Sequence, residues 1–243
     1  MMRVLLVDDE RLARAELRRL LAAHPQVEIV GEAANAAEAV QQVAALSPDL
    51  LLLDVQMPGG SGFDMLQALD STPEVIFTTA FDRYALQAFE VNALDYLQKP
   101  IQATRLAAAL ERAAFRLQLA RGVASVPALP APQKLFIKDG DRCWFVDYGD
   151  IRLFESEGNY TRVYFGEHRP LMLRSLAQLE QKLAPERFFR VSRQHIVNLD
   201  AVQEVAPNQA GGLELALTGG LRIEVSRRRA AHFRHMAACQ SQY

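Results

Sequence analysis

Four short apolar runs in the first half of the chain end in side chains that can bind a cation or a phosphoryl group. Asp8 and Asp9 follow the first run, Asp54 follows the second, Thr79 ends the third, and Lys99 comes at the end of the fourth. The carboxyl ends of parallel strands meet in one crevice of an open sheet, so we expect these side chains to converge there.

The three aspartates predict a site for a divalent cation. Carboxylates packed together repel one another, so a cation is needed to hold them close. Magnesium suits such a set because it prefers oxygen ligands in octahedral geometry and keeps several waters. We predict that Mg²⁺ binds to Asp8, Asp9, Asp54 and the backbone carbonyl of Gln56.

Asp54 is the predicted phosphoryl acceptor. It directly follows Leu50–Leu53 and precedes the loop Met57–Gly62, where its carboxylate can attack phosphorus and form an acyl phosphate. Lys99 and the hydroxyl of Thr79 suit the phosphoryl oxygens, whose charge must be neutralised. A single acid at a strand end is usually a solubilising loop residue. Here four strand ends all carry side chains that suit a cation or a phosphoryl group, which favours a phosphoryl site.

Strands and amphipathic helices alternate through this half, and they must position the site residues. Leu50–Asp54 is a continuous apolar run, as expected for a strand buried on both faces of a sheet. The other early elements are predicted as strands at 3–8 and Val27–Gly31 and as helices at 10–23 and Ala36–Leu46. Five such repeats predict a flavodoxin-like α/β fold, a doubly wound five-stranded parallel sheet with helices on both sides.

A stretch rich in proline and alanine divides the chain. A helix predicted around Leu106–Leu117 runs into Arg121–Pro132, which has three prolines within six residues and no apolar period. Such a composition is typical of an extended linker. We therefore predict one domain at 1–120, a linker at 121–133 and a second domain at 134–243.

The composition excludes several classes of protein. Half of the 243 residues are hydrophobic and 23% are charged, which indicates a globular chain rather than a disordered one. No apolar run approaches the roughly 20 residues of a membrane helix, so we expect a cytoplasmic protein without membrane insertion. The two cysteines, Cys143 and Cys239, cannot form a disulfide framework or a zinc site. Residues 1–120 carry a net charge of −6 and residues 121–243 one of +4, which suggests different partners for the two halves.

Short β-rich segments separated by turn residues dominate after the linker. The predicted strands are Leu135–Lys138, Cys143–Val146, Ile151–Glu155, Thr161–Phe165, Arg169–Leu173, Arg190–Val191, Ile196–Leu199, Val202–Val205, Leu213–Leu217 and Arg222–Val225. Two helices are predicted, Leu176–Leu183 with Ser175 as its N-cap, and Arg228–Ala238. The second domain is therefore predicted to be mostly β.

Basic and amide side chains cluster at the edges of these segments. There is no Gly-x-Ser-x-Gly elbow, no metal-site spacing and no helix-turn-helix pattern, which argues against a hydrolase, a metal enzyme or a helix-inserting DNA reader. Arginine and amide side chains read base edges and phosphates, so the pattern favours nucleic-acid contact. A solvated polar rim on a β domain is the alternative. The clustered residues are Asn159, Tyr160, Arg162, Arg174, Arg190, Arg193, Gln194, Asn198 and Arg227–Arg229.

The first half resembles the receiver domain of two-component response regulators over about residues 1–118. The resemblance rests on Asp8-Asp9-Glu10, Asp54, Met57-Pro58 with Gly62, Thr79-Ala80 and Lys99-Pro100. It implies magnesium-dependent phosphotransfer from a sensor histidine kinase to Asp54. It also implies that Tyr96 reorients when Thr79 moves toward the phosphoryl group.

The second half, over 134–238, resembles the LytTR DNA-binding domain, a mostly β fold that inserts loops into the major groove. The strongest match is Phe189–Leu199, and it is extended by Ile151–Ser156, Arg174-Ser175-Leu176 with Leu179-Glu180, and Val225–Arg228. The family usually has histidine at position 192 and an aromatic residue at 195, whereas this chain has Ser192 and His195.

The resemblance implies that loops of this domain contact DNA. The contacts that we predict from it are those of Asn159, Tyr160, Arg162, Arg174, Arg193, Gln194, Asn198, Arg227 and Arg228.

Together the two resemblances predict a cytoplasmic LytTR-type response regulator. It is not expected to be an enzyme, except that it catalyses phosphorylation and dephosphorylation of its own aspartate. Phosphorylation by the sensor histidine kinase is expected to favour a homodimer, whose paired domains bind promoter DNA and regulate transcription. Two alternatives stay open: a constitutive DNA-binding regulator whose receiver serves mainly as a protein-interaction module, and a second domain that binds protein or RNA.

Overall fold

Two units make up the computed structural model, Met1–Phe145 and Val146–Tyr243. The structure describes residues 1–80, 93–122, 134–140, 142–208 and 211–240. None of the described helices is long and apolar enough to cross a membrane.

The first unit is built on a parallel sheet that confirms the predicted flavodoxin-like fold. Its strands are β1 (Met2–Val7), β2 (Val27–Ala33), β3 (Leu50–Asp54), β4 (Gln56–Met57), β5 (Gly60–Ser61), β6 (Glu74–Thr79) and β7 (Asp95–Gln98). Five of them form the sheet in the order β2-β1-β3-β6-β7, and β4 pairs with β5 directly after β3. The carboxyl ends of β1, β3, β6 and β7 therefore lie along one edge.

Four described helices accompany this sheet: α1 (Arg11–Leu21), α2 (Ala36–Leu46), α3 (Gly62–Ala68) and α4 (Ala103–Gly122). Two of them begin at side chains that accept a backbone hydrogen bond. Asn35 caps α2, and Ser61 forms a capping box with Asp64 at the start of α3. The segment 81–92 lies outside the described residues.

Successive residues of the central strands point to opposite faces of the sheet and fill two separate apolar clusters. One cluster takes Leu5, Val7, Leu51 and Leu53, and the other takes Val4, Leu6, Leu50 and Leu52. Each of these side chains is completely buried. The continuous apolar runs in the sequence therefore reflect burial on both faces, as predicted.

A two-stranded sheet after the linker belongs to the first unit as far as Phe145. It consists of β8 (Lys134–Asp139) and β9 (Arg142–Asp147), and we call it the β8–β9 pair. Phe136 and Phe145 from the pair pack in the same apolar cluster as Phe63 of α3 and Phe77 of β6. Lys134 forms an ion pair with Glu74, and the backbone N–H of Thr72 donates to the carbonyl of Lys134 over 2.9 Å.

The contact division of the chain differs from the predicted domain boundary, which stays a prediction. We expected the second domain to begin at residue 134, but contacts divide the chain after Phe145, because the aromatic residues of the β8–β9 pair are buried against α3 and β6. Helix α4 also continues to Gly122, at the start of the predicted linker. The remaining linker residues, 123–133, lie outside the described residues.

The second unit is mostly β, as predicted. Its elements are β10 (Ile151–Glu157), β11 (Tyr160–Phe165), β12 (Leu171–Met172), α5 (Leu176–Glu180), β13 (Phe188–Arg190), β14 (His195–Asn198), β15 (Val202–Pro207), β16 (Leu213–Leu217), β17 (Arg222–Val225) and α6 (Arg227–Gln240). One sheet has the order β12-β11-β10-β14-β13 and the other β15-β16-β17, and both are antiparallel. Ser175 caps α5 as predicted, although this helix ends three residues earlier than expected.

One apolar cluster contains side chains from both sheets of this unit. It combines Leu153 and Val197 from the five-stranded sheet with Leu215 and Val225 from the three-stranded one. Phe233 of α6 completes it through an edge contact with Phe189. The strand that we predicted at Arg190–Val191 is observed at Phe188–Arg190, because Phe188 and Phe189 are both buried.

Replacement of Phe136 by alanine should destabilise the first unit by about 3 kcal/mol, because it removes a large buried side chain from an aromatic cluster. Phe136 is 2% exposed and its ring lies 5.0 Å from that of Phe145. The measurement is denaturant-induced unfolding followed by the fluorescence of the single tryptophan, Trp144, which lies on β9.

Phe115→Ala provides the matched control, since Phe115 is 62% exposed on α4 and its removal should change the free energy of unfolding by less than about 0.5 kcal/mol. Equal destabilisation by the two substitutions would contradict the packing of the β8–β9 pair on the first unit.

Candidate functional site

One lysine joins two buried carboxylates at the carboxyl edge of the parallel sheet. Lys99 Nζ lies 2.7 Å from Asp54 Oδ2 and 2.8 Å from Asp8 Oδ2. Asp54 is the last residue of β3, Asp8 follows β1, and Lys99 follows β7 before a cis bond to Pro100. Three strand ends that are far apart in the sequence therefore meet within hydrogen-bonding distance.

The charges in this cluster depend on each other because they are removed from water. Asp8 is completely buried, which raises the pKa of its carboxyl group, although the neighbouring Lys99 works in the opposite direction. Burial alone would lower the pKa of Lys99, but its hydrogen bonds and charge interactions with Asp54 and Asp8 outweigh that effect and raise it. Lys99 is therefore a cation at neutral pH and compensates the two carboxylates.

Asp8, Asp9 and Asp54 have the geometry for a shared cation. Each offers a carboxylate oxygen, and these oxygens lie within 4.8 Å of one another. Asp9 reaches solvent, whereas the other two are buried, so an ion could enter from the Asp9 side. An all-oxygen set of carboxylates fits Mg²⁺.

The chain next to Asp54 is held close to the cluster. The backbone N–H of Gln56 donates to Asp54 Oδ1 over 3.1 Å, and that of Gly62 donates to the carbonyl of Val55 over 2.9 Å. A β-carbon on Gly62 would lie 2.4 Å from the backbone oxygen of Asp54, so only glycine fits there. Gln56 thus lies at the edge of the cluster, where we predicted its carbonyl as a ligand.

Thr79 and Tyr96 lie on the two neighbouring strands. Thr79 ends β6 and is buried, and its carbonyl accepts a 2.7 Å hydrogen bond from the backbone N–H of Lys99. Tyr96 is half-buried on β7, opposite Phe77 in the strand register, and packs against the same apolar cluster. The predicted switch residues are therefore connected to the cluster through backbone and packing contacts.

Arg14 supports the backbone at the acid pair, a role that we did not predict from the sequence. Its Nη1 donates to the carbonyl of Asp8 over 2.6 Å, and its Nε donates to Glu32 Oε2 over 3.0 Å. The guanidinium group thereby fixes the backbone that carries the carboxylates of Asp8 and Asp9. The sequence shows only that this arginine lies on the predicted helix, one turn after Glu10. Surface arginines are common at such positions, so the pattern alone does not indicate the role.

Several predicted DNA-contacting residues meet at one end of the five-stranded sheet of the second unit. The turn between β10 and β11, the loop between β13 and β14, and the chain after β12 all reach this end, because Glu155 pairs with His195 and Thr161 pairs with Met172. We call it the reading edge. It carries Asn159, Tyr160, Arg174, Arg193 and Gln194, of which all but the half-buried Arg174 are exposed.

Arg162 also lies near this edge, but its side chain has internal partners. Its Nε donates to Glu157 Oε2 over 2.7 Å, and its Nη1 donates to the carbonyl of Arg169 over 3.0 Å. Arg227 and Arg228 lie on a different element, the first turn of α6, and both are exposed.

The prediction for Asn198 is corrected. Its side chain is completely buried, and the amide nitrogen donates to the carbonyl of Ile151 over 2.7 Å. Its side-chain oxygen accepts a hydrogen bond from the backbone N–H of Asp200 over 3.0 Å. Asn198 therefore joins strands inside the unit and cannot present its amide to DNA.

Ser192 and His195, where this chain departs from the usual family pattern, lie next to each other. Ser192 Oγ is 3.3 Å from His195 Nδ1, and His195 Nε2 is 3.5 Å from Glu155 Oε1. Ser192 Oγ also accepts a 3.1 Å hydrogen bond from the backbone N–H of Gln194. Ser192 and His195 thus make contacts within the unit that stabilise the loop between β13 and β14.

Comparison with known proteins assigns a family to each half of the chain. Residues 4–111 match the model of the response regulator receiver domain, and residues 141–238 match the model of the LytTr DNA-binding domain. The solved response regulatory domain of mrkE from Klebsiella pneumoniae is 31% identical, covers 49% of this chain and 99% of that domain, and superposes with a TM-score of 0.44.

Two curated relatives match nearly the whole chain. The sensory transduction protein LytT of Enterococcus faecalis is 36% identical over 236 residues, which cover 96% of this chain and 98% of that protein. The transcriptional regulatory protein BtsR of Salmonella typhimurium is 40% identical over 238 residues, which cover 94% of this chain and 95% of that protein. The chain therefore belongs to the LytTR response regulators, with a receiver domain followed by a LytTr DNA-binding domain.

Proposed function

We propose that this chain is a two-component switch in which phosphorylation of Asp54 controls binding to promoter DNA. The observation that carries the proposal is the Lys99 ammonium ion held between the carboxylates of Asp8 and Asp54. These carboxylates are buried and depend on one lysine for compensation, so a cation and a phosphoryl group that arrive together can rearrange the whole cluster.

Asp54 supplies the nucleophile for phosphotransfer. A carboxylate oxygen of Asp54 attacks the phosphorus of a phosphohistidine on the sensor kinase, an O–P bond forms, the P–N bond breaks, and the histidine nitrogen keeps the electron pair. Asp8, Asp9, Asp54 and the backbone carbonyl of Gln56 would hold Mg²⁺, which neutralises charge on the phosphoryl oxygens when bound. Lys99 then pairs with a phosphoryl oxygen in place of the Asp54 carboxylate. Hydrolysis of the acyl phosphate at the same site resets the switch.

Thr79 and Tyr96 transmit the change to the surface of the receiver. The Thr79 hydroxyl donates to the phosphoryl group, and the movement of Thr79 at the end of β6 alters the packing of Tyr96 beside Phe77. The contacts that support this step are the strand register between β6 and β7 and the position of Tyr96 on the apolar cluster.

The rearranged receiver favours a homodimer, and the homodimer binds DNA more tightly than a monomer. Two linked DNA-binding domains on two half-sites gain affinity because the second contact is intramolecular. The expected coupling between phosphorylation and DNA binding is about 1–3 kcal/mol. The exposed residues of the reading edge, together with Arg227 and Arg228, contact the DNA in this proposal.

Asp54→Asn should abolish phosphorylation, because the amide cannot act as the nucleophile. Mass spectrometry after incubation with acetyl phosphate and Mg²⁺ should show one added phosphoryl group in the wild-type chain and none in the variant. Sedimentation under the same conditions should show the dimer in the wild-type chain alone. Asp70→Asn, at an exposed carboxylate outside the cluster, is the control and should behave as wild type. Phosphodonor-dependent dimerisation and DNA binding that persist in Asp54→Asn would support the constitutive alternative instead.

Lys99→Met should destabilise the receiver by about 3 kcal/mol without Mg²⁺, because it leaves two buried carboxylates without a compensating cation. Added Mg²⁺ should restore part of that loss, since the ion binds between the same carboxylates. The measurement is thermal unfolding of each variant with and without Mg²⁺. Lys182→Met, at an exposed lysine of the second unit, should leave both values unchanged. A Lys99→Met variant as stable as wild type without Mg²⁺ contradicts the role of the ammonium ion.

Arg193→Ala should weaken binding to a selected duplex by about 1–3 kcal/mol if the side chain reads a base, or lower the slope of log K against log salt by about 1 if it contacts a phosphate. The readout is fluorescence anisotropy over a series of salt concentrations. Arg222→Ala removes the same charge from an exposed arginine paired with Glu214 on β16 and should change neither quantity. Equal losses from both substitutions would indicate general electrostatic attraction rather than a reading edge.

A further inference from the structure

The loop that carries Arg193 is held in shape by its neighbours. Residues Val191–Gln194 connect β13 to β14, and we call them the 191–194 loop. The backbone N–H groups of Val191 and Ser192 donate to the carbonyl of His195 over 3.1 and 3.4 Å, and the backbone N–H of Ser156 donates to the carbonyl of Gln194 over 2.8 Å. These bonds close the two ends of the loop against β10 and β14.

The middle of the loop depends on Arg190. Its Nε donates to the carbonyl of Ser192 over 2.9 Å, and its Nη2 donates to the carbonyl of Arg193 over 2.8 Å. Its remaining nitrogen, Nη1, donates to Glu180 Oε2 over 3.0 Å. The Arg190 side chain is only 15% exposed. All three guanidinium nitrogens are therefore used inside the unit.

This arrangement gives Arg190 and Arg193 different roles: Arg190 stabilises the loop backbone, and Arg193 is exposed to solvent. A guanidinium group is a rigid planar fork, so binding two consecutive carbonyls at once specifies the loop backbone. With both carbonyls turned toward Arg190, the side chains of Arg193 and Gln194 are left exposed at the reading edge. A loop already ordered in this way loses less conformational entropy when it binds DNA than a loop that must be ordered on contact.

Glu180 accepts the hydrogen bond from Nη1, the guanidinium nitrogen of Arg190 that does not contact the loop. It is the last residue of α5 and is 47% exposed, so its carboxylate adds negative charge next to a surface that we propose to bind a polyanion. By charge alone, Glu180 opposes DNA binding. As the anchor of Arg190 it favours binding. The two roles predict changes of opposite sign when the charge is removed.

We propose that Arg190 is a positioning residue for DNA recognition, anchored by Glu180, and that it holds the 191–194 loop rather than contacting DNA. This inference rests on the proposed function, in which Arg193 and Gln194 contact the duplex.

The test compares four full-length variants, Arg190→Gln, Arg190→Lys, Glu180→Gln and Arg193→Ala, on a selected duplex and on a scrambled duplex over a range of salt. Arg190→Gln should lower affinity for the selected duplex about tenfold, leave the scrambled duplex nearly unchanged, and keep the salt slope, because no phosphate contact is lost. Arg190→Lys should not rescue binding, since an ammonium group cannot bridge two carbonyls and a carboxylate with the same geometry.

Glu180→Gln gives the sharper result. It should weaken binding to the selected duplex several-fold although it removes a negative charge. Glu204→Gln, at an exposed carboxylate on β15, makes the same charge change elsewhere and should leave binding equal or slightly tighter. Because Glu180 is half exposed, this variant also covers the case in which Arg190→Gln fails to fold, which thermal unfolding will reveal.

The outcomes separate the inference from the function on which it rests. A salt slope that falls by about 1 in Arg190→Gln, with equal losses on both duplexes, would show that Arg190 contacts phosphate and would overturn the inference. Tighter binding by Glu180→Gln would also overturn it. If Arg193→Ala weakens binding and the Arg190 and Glu180 variants do not, the positioning role alone fails. If Arg193→Ala has no effect, the proposed reading edge fails.

Discussion

A single ammonium ion between two buried carboxylates is the interaction on which the first unit depends. Lys99, Asp8 and Asp54 come from the ends of three strands, so they meet only when β7, β1 and β3 lie in one parallel sheet. Without the lysine, two desolvated carboxylates would face each other in the same crevice, and the raised pKa of Asp8 reflects the cost of that burial. The charges that stabilise the site are therefore the ones that a cation and a phosphoryl group must rearrange.

Both units use an inward-facing arginine to support an edge that faces solvent. Arg14 donates to the backbone behind the acid pair, and Arg190 donates to the backbone of the 191–194 loop. Each guanidinium is itself fixed by a carboxylate, Glu32 in the first unit and Glu180 in the second. Because the supporting charges are paired internally, the solvent-accessible groups beside them, such as Asp9 and Arg193, remain available for a ligand.

Much of the fold and of the receiver site could be predicted from the sequence, because their signals are local. Continuous apolar runs such as Leu50–Leu53 predicted a strand buried on both faces, and the polar residue after each run marked the carboxyl edge. The sequence was less informative where the outcome depends on residues that are distant in the chain. Asn198 has a side chain suited to DNA, yet its amide is buried and donates to the backbone carbonyl of Ile151 on β10. We predicted that the second domain begins with the β8–β9 pair, yet Phe136 of this pair packs against Phe63 of α3.

The central claim is that occupation of the Asp54 cluster changes DNA occupancy, and one binding measurement tests it directly. The Kd of the full-length chain is measured by fluorescence anisotropy on a duplex with two half-sites selected from a random library, at fixed ionic strength, with and without Mg²⁺ and beryllofluoride as the phosphoryl mimic. A coupling of about 1–3 kcal/mol predicts that the mimic tightens binding about 5- to 150-fold. An unchanged Kd, with ¹⁹F resonance spectra showing the mimic bound to the chain, would contradict the account.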